Sequence, residues 1–155
     1  MTRILWVAAA LALCLPSASA QERGQLGLGV MVGAPAGGSA KYFLAETHAV
    51  DAAIGYNNNL ALHADYLWHG WDVLPRPHEG KLAAYAGLGG RFRNRDDEEM
   101  EFGFRVPGGA AYWLARHPIE LFIELAPVFR VNARNTITLD GAVGIRYFFE
   151  RSPRR

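Results

Sequence analysis

Charged residues of both signs alternate with apolar residues in the C-terminal half of the chain, and they are the first candidates for chemistry. Glu120 and Glu124 could serve as paired carboxylates in acid catalysis. They belong to a set of six, spread over three consecutive segments: Arg105, Glu120, Glu124, Arg130, Asp140 and Arg146. General acid catalysis is disfavoured, because the surrounding arginines would keep both glutamates ionised. The set therefore predicts a structural salt-bridge network, with a gated ion path or an anion site as the alternative.

Two other groups of residues could carry chemistry. His63 and Asp65, with His69 nearby, share one face of a segment and could bind a metal. No motif of fixed ligand spacing supports a metal, so hydrogen-bonded interior histidines are preferred, and neither a metal nor a cofactor is predicted. A serine hydrolase would depend on Ser39 or Ser152, the only serines after residue 20. Ser39 has no histidine near it in sequence, and Ser152 lies in the tail, so no enzyme is predicted.

The composition limits the class of protein before any element is assigned. The chain has 155 residues, the length of one domain, and 50% of them are hydrophobic. Lys and Arg number 16 against 15 Asp and Glu, and loss of Arg3 with the export signal described next leaves the mature chain formally neutral. Without a basic excess, no nucleic acid partner is expected.

The first residues, MTRILWVAAALALCLPSASA, have the pattern of an export signal. A positively charged start, an apolar run and the small-residue motif Ala18-Ser19-Ala20 follow one another in the order that such signals require. We therefore predict a signal peptide over residues 1–20 and one domain over residues 21–155. A lipoprotein signal ending at Cys14 is the alternative, which Leu13 disfavours. No later run is long enough for a transmembrane helix.

After the signal, the chain forms eight segments of alternating polarity, separated by turns rich in Gly, Pro, Asn and Asp. No helical periodicity competes with them. The predicted strands are 25–33, 39–45, 48–56, 60–69, 81–93, 99–114, 118–131 and 136–149. Pro107 and Pro127 fall inside two of these strands. Because proline removes a donor from the ladder, a bulge or a strand break is expected at each.

The two faces of these strands differ in charge. One face is apolar and carries no charged position, and its aromatic residues lie near strand ends, as in the girdles of membrane barrels. The other face carries most of the strand glycines together with seven basic and seven acidic residues. These charged residues are Lys41, Lys81, Arg91, Arg93, Arg105, Arg130, Arg146, Asp51, Asp65, Glu99, Glu101, Glu120, Glu124 and Asp140.

The position of the charged face decides the class of protein. A soluble barrel or sandwich has its apolar face inside, whereas a membrane barrel turns its apolar face to lipid and its polar face to the lumen. Glycines on the charged face indicate a cramped space, which a narrow lumen provides and a solvated surface does not. Balanced charges also suit a closed interior. We therefore predict an all-β fold, an eight-stranded antiparallel up-and-down transmembrane β-barrel.

Four blocks of sequence resemble a known family. They are residues 85–91 (YAGLGGR), 102–107 (FGFRVP), 118–127 (PIELFIELAP) and 140–149 (DGAVGIRYFF). These blocks are similar to small, mostly uncharacterised outer-membrane barrel proteins of the OmpA/OmpX type, over about residues 24–149. The last block is also similar to the C-terminal signal that the barrel-assembly machinery reads, with Gly144, Tyr147 and Phe149 at its key sites. The resemblance implies the bacterial outer membrane as location, and outer-membrane lipids and the assembly machinery as partners.

The connections bear on function. With both termini periplasmic, as in this barrel type, the outer loops are short, which disfavours a receptor or adhesin. The longest connection, residues 69–80, would be periplasmic, and Trp71 could anchor it as a cap over the lumen. The predicted function is a structural or envelope-integrity role, with a lumen filled by the salt-bridge network. A narrow channel for ions or small solutes and a periplasmic lipocalin-like barrel that binds lipid are the alternatives. The sequence leaves the oligomeric state open.

Overall fold

The computed structural model describes residues 23–94, 100–131 and 136–149, so the predicted signal peptide lies outside the described residues. No helix in the described ranges is long and apolar enough to cross a membrane. The described chain is folded as antiparallel strands: β1 (Leu26–Gly33), β2 (Gly37–Phe43), β3 (His48–Asn57), β4 (Asn59–Gly70), β5 (Lys81–Asn94), β6 (Met100–Arg105), β7 (Gly108–Trp113), β8 (Ile119–Arg130) and β9 (Ile137–Phe149).

The sheet closes on itself, because β9 pairs with β1 as well as with β8. Strands β6 and β7 share one position in the ring, since both pair with β5 on one side and with β8 on the other. The nine strands of the described chain therefore form a ring of eight positions. The antiparallel eight-position barrel predicted from the sequence is confirmed, with one strand split in two.

The split falls at Val106 and Pro107, where the sequence predicts a break. The bulge or break predicted at Pro127 is wrong, because β8 runs through it without interruption. The backbone N–H of Val106 donates to the carbonyl of Pro127 at 3.0 Å, and Pro127 has no N–H with which to return the bond. The interruption therefore lies in the neighbouring strand. The register is the same on both sides of the split, so no residue changes face.

The ring is staggered as well as closed. Following the paired residues once around it from Leu28 leads to Ile137, which lies five residues from Ala142, the partner of Gly33. If β1 continued in the same direction, Ile137 would pair with a position ten residues after Leu28, so the path around the ring returns with an offset of ten residues. A barrel with such a stagger has tilted strands, typically by roughly 35–45°.

The charged face lies inside the barrel. Leu121, Ile123 and Ile145 point outward and are 43%, 57% and 43% exposed, whereas Glu124 and Arg146 point inward and are 4% and 1% exposed. Among the described residues, no strand position that alternates outward carries Asp, Glu, Lys or Arg. The structure thus has the orientation that the sequence predicts.

Candidate functional site

The inward side chains form three clusters between the two ends of the barrel. We call the end where Leu26 pairs with Phe149 the terminal end and the opposite one the loop end. A terminal aromatic cluster contains Phe43, Leu67, His69, Tyr85, Trp113 and Phe148. A central ionic cluster contains Lys41, Asp51, His63, Asp65, Arg105, Glu120, Glu124 and Arg146. A loop-side ionic cluster contains Arg91, Glu101, Arg130 and Asp140.

Arg146 organises one half of the central ionic cluster. Its Nη1 donates to Glu120 Oε1 at 2.7 Å, its Nη2 to Asp51 Oδ2 at 2.9 Å and its Nε to Ser39 Oγ at 2.9 Å. The ammonium of Lys41 donates to the second oxygen of Glu120 at 2.9 Å. The planar guanidinium of Arg146 on β9 therefore ties together side chains from β2, β3 and β8.

Arg105 organises the other half. Its Nη2 donates to Glu124, its Nη1 donates to His63 Nδ1 at 2.9 Å, and its Nε lies 2.9 Å from Asp65 Oδ2. The hydroxyl of Tyr85 donates to the other oxygen of Glu124 at 3.0 Å. Because a guanidinium N–H can only donate, His63 Nδ1 is an acceptor, and the hydrogen of the neutral ring sits on Nε2.

The loop-side ionic cluster is built around Arg91. Its Nη1 lies 2.6 and 2.8 Å from the two oxygens of Asp140, and its Nη2 donates to Glu101 at 2.5 Å. Arg130 donates to the second oxygen of Glu101 at 3.1 Å. A distance of 3.9 Å between Arg105 Nη1 and Asp140 Oδ2 connects this cluster to the central one.

The terminal aromatic cluster borders the central ionic cluster at Lys41. The ammonium lies 5.1 to 5.3 Å from the ring centroids of Phe43, Tyr85 and Trp113. These are cation–π distances, so the three aromatic rings and the carboxylate of Glu120 together stabilise the charge of Lys41.

Trp71, in the connection between β4 and β5, turns inward onto this cluster. Its ring lies 5.0 Å from that of Trp113 and stacks on His69 at 6.1 Å. Its indole N–H donates to the carbonyl of Glu46 at 3.0 Å, which joins two turns of the terminal end. Val73 in the same connection is 72% exposed. The structure therefore places Trp71 where a cap over the lumen would be anchored.

The six residues of the predicted salt-bridge network all lie inside the barrel, but in two clusters. Arg105, Glu120, Glu124 and Arg146 belong to the central one, and Arg130 and Asp140 to the loop-side one. Sequence reasoning left out several partners of these residues: Lys41, Asp51, Asp65, Arg91 and Glu101. All five alternate onto the charged face of their strands, so this alternation could have identified them as members of the network.

The residues considered for a metal or for serine chemistry are separated. His69 lies in the aromatic cluster, and Asp51 takes its place beside His63 and Asp65, each of the three offering one ligand atom within 4.8 Å of the others. Ser39 is buried and accepts a hydrogen bond from Arg146, so the structure places it in the central ionic cluster. Ser152 lies outside the described residues.

The closed ring of antiparallel strands has a counterpart among solved structures. The chain shares its fold with the N-terminal β-barrel domain of Pseudomonas aeruginosa OprF. The TM-score is 0.53 and the sequence identity 15%, with 81% of this chain and 96% of that one covered. The resemblance to barrels of the OmpA/OmpX type is therefore confirmed for the fold. Neither a protein-family model nor a curated protein matches the sequence.

The predicted assembly signal falls on β9. Tyr147 and Phe149 point outward with ring centroids 5.1 Å apart, and Gly144 points inward, where a Cβ would overlap the ring of Phe122. Residues 150–155 lie outside the described part of the chain. Recognition of this segment by the assembly machinery stays a prediction.

Two adjacent glycines on β5 test the inward and outward assignment. A Cβ at Gly89 would overlap Asp65 Oδ1 and the carbonyl of Ala64, whereas a Cβ at Gly90 would have the carbonyl of Gly103 at 4.0 Å as its first neighbour. We expect Gly89→Ala to lower the free energy of unfolding by about 1–3 kcal/mol through overpacking, and Gly90→Ala to change it little. Urea unfolding of both variants measures the difference. Equal effects would contradict the assignment.

Proposed function

We propose that this chain is an integral outer-membrane β-barrel protein with a structural role in the envelope, that it is not an enzyme, and that its own side chains close its lumen. The supporting observation is the outer surface, where large apolar side chains such as Val30, Ile54 and Leu139 are 53% to 66% exposed. In water this would be an apolar surface far larger than soluble monomers tolerate. In a bilayer, an apolar exterior on a closed barrel is what the solvent requires.

Aromatic side chains at both ends of the outer surface support a membrane location. They are Tyr42, Tyr66, Trp68, Tyr112, Tyr147 and Phe149 toward the terminal end, and Tyr56, Phe92 and Phe102 toward the loop end. The hydroxyl of Tyr112 donates to the carbonyl of Glu79, and that of Tyr66 is hydrogen-bonded to His48 Nδ1. Aromatic rings with a polar tip prefer the boundary between hydrocarbon and water. The blocks that resemble OmpA/OmpX-type proteins point to the outer membrane in particular.

The filled interior supports a structural role. Lys41, Arg105, Glu120 and Arg146 are each at most 1% exposed. Lys41 on β2 pairs with Glu120 on β8, and Arg146 on β9 pairs with Asp51 on β3, so ion pairs inside the barrel join strands three positions apart in the ring. A lipid-binding barrel would instead need an open apolar interior, which the ionic clusters do not offer.

Cell fractionation combined with electrophoresis tests the location. We expect the protein in the outer-membrane fraction, and we expect its unboiled form to migrate differently from its boiled form, because a closed barrel resists detergent until heated. Recovery from the soluble fraction with one mobility would contradict the proposal.

Planar-bilayer recording tests the closed lumen separately. The inserted wild-type barrel is expected to give no discrete conductance steps, since ion pairs fill its centre. Regular steps that depend on the protein would favour a narrow channel, and they would leave the membrane location intact.

A further inference from the structure

The connection between β4 and β5 covers the terminal end of the lumen. We call residues 71–79 the terminal lid, and Gly70 and Gly80 stand at its two ends. Gly80 has a φ of 75°, and a Cβ there would lie 2.3 Å from the carbonyl of Trp113, so this bend requires glycine. All residues of the lid are described, and none of them belongs to a strand or a helix. Its displacement would therefore leave the ladders of the barrel intact.

The terminal lid is fastened near its two ends. At one end Trp71 turns inward onto the aromatic cluster, and its indole N–H donates to the carbonyl of Glu46 at 3.0 Å. At the other end the hydroxyl of Tyr112 donates to the carbonyl of Glu79 at 3.1 Å. Val73, between these contacts, is 72% exposed. The closed position of the lid therefore depends on what the ring of Trp71 packs against.

The ring of His69 is one of the groups that Trp71 covers. His69 is 5% exposed, and its ring centroid lies 5.1 to 6.3 Å from those of Phe43, Tyr85, Trp71 and Trp113. Neither ring nitrogen is hydrogen-bonded to a described residue. A charged imidazole has two N–H donors, and burying them without acceptors is costly. The closed lid therefore favours the neutral ring.

Charged groups around His69 also oppose its protonation. The titratable groups that face it from β2, β3, β5 and β9 are Lys41, His48, Tyr85 and Arg146. Lys41 and Arg146 are cations and repel a charged imidazole, whereas the carbonyl of Thr47 attracts one. The carboxylate of Glu120 already accepts hydrogen bonds from both cations. The acidic residues of the neighbouring connections are exposed: Glu46, Asp72 and Glu79.

We propose that the terminal lid opens when His69 takes up a proton. An imidazole in water has a pKa of about 6.5, so a ring that the lid has released is charged below that pH. Because the closed lid disfavours the charged ring, proton uptake stabilises the open form alone. The closed form is thus favoured above about pH 6.5 and loses this advantage as the pH falls. This device goes beyond a structural role, since it gives the terminal end of the lumen a response to acid.

Labelling of a cysteine that the lid covers tests the proposal. Ala83 is 0% exposed, and continuing the β4–β5 register past the pair of Gly70 and Ala84 sets it opposite Trp71. The rate at which a dipyridyl disulfide labels Ala83→Cys, divided by its rate on the exposed Val73→Cys, follows the open fraction of the lid. From about pH 7.5 to about pH 5 this ratio should rise about 30-fold, because the open form gains one proton. Peptide mass distinguishes the label at residue 83 from any at Cys14.

Histidine variants in the Ala83→Cys background separate His69 from other groups that take up protons. His69→Phe should show no rise, because a phenyl ring cannot be charged. His78→Phe is the matched control: His78 lies in the lid and is exposed, so the rise should persist. If His69→Phe does not fold, His69→Gln takes its place, since its amide is neutral at both pH values.

Two results would overturn the proposal. The first is an equal labelling ratio at both pH values with His69 in place. The second is a rise that persists in the His69 variants, which would assign the opening to the buried carboxylates of the central ionic cluster. Labelling depends on the lid and not on what surrounds the barrel, so recovery of the protein from the soluble fraction would leave this test intact.

Discussion

Replacing Arg146 with methionine is expected to lower the free energy of unfolding by about 3–5 kcal/mol, because the change leaves buried carboxylates without their partner. Methionine keeps much of the length of the side chain but removes all three of its hydrogen-bonding contacts, to Glu120, Asp51 and Ser39. Lys41 still neutralises one oxygen of Glu120, and Asp51 loses its main cation. Equilibrium unfolding in urea, followed by tryptophan fluorescence in detergent micelles, measures the loss.

A surface arginine provides the control for Arg146. Arg76 donates to Asp72 at 2.6 Å, but the two side chains are 84% and 78% exposed. An exposed pair of this kind contributes little, so Arg76→Met should unfold like the wild type. Combining Arg146→Met with Asp51→Asn should recover part of the lost stability, because it removes an orphaned charge. Wild-type stability of Arg146→Met would show that the ionic cluster does not hold the barrel together.

Arginine in place of Ile123 is expected to weaken folding into lipid vesicles by about 2–4 kcal/mol, the cost of a cation on the lipid face near the midplane of a bilayer. Ile123 lies near the middle of β8, points outward and is 57% exposed. Its cross-strand neighbours Ala110 and Val143 are uncharged and offer the guanidinium no partner. In a water-soluble barrel the same substitution would be nearly neutral, because an exposed isoleucine would become a solvated arginine.

Val73→Arg is the matched control, since Val73 is 72% exposed but lies in the connection beyond the terminal end. It should fold into vesicles as the wild type does. The difference between the two variants, measured by denaturant titration in the same lipid, isolates the effect of depth. Equal stabilities would remove the main support for a membrane location.

Much of the architecture could be predicted from local alternation. Whether Leu121 or Glu124 faces the lumen depends on strand parity, and parity is visible in any stretch of a few residues. A face that carries all the charge and most of the glycine can fit only a cramped interior, so the orientation also followed from the sequence. The position of the strand break was harder to predict. Pro127 lacks a donor, but β8 continues through it, and the interruption lies at Val106 and Pro107 in the neighbouring strand.

Pairing across the lumen could not be predicted in the same way. Arg91 on β5 contacts Asp140 on β9, with β6 and β8 between them in the ring, so this pair depends on the register of several strands, which no single segment encodes. The aromatic side chains of Phe43 and Trp113 share the parity of the charged residues, so a division by polarity alone missed an apolar cluster inside the barrel. The turning of Trp71 onto that cluster depends on a connection with no repeating pattern.

The register continues unchanged past Val106 and Pro107, so side chains alternate strictly between the lumen and the outer surface along the whole strand. Inserting one residue within β8 ahead of Glu124 would turn every later charged side chain of that strand outward and the apolar side chains beside them inward. Inserting two residues would leave the inward and outward positions unchanged. Length variation among descendants of this chain should therefore accumulate in the connections, or enter the strands only in even steps.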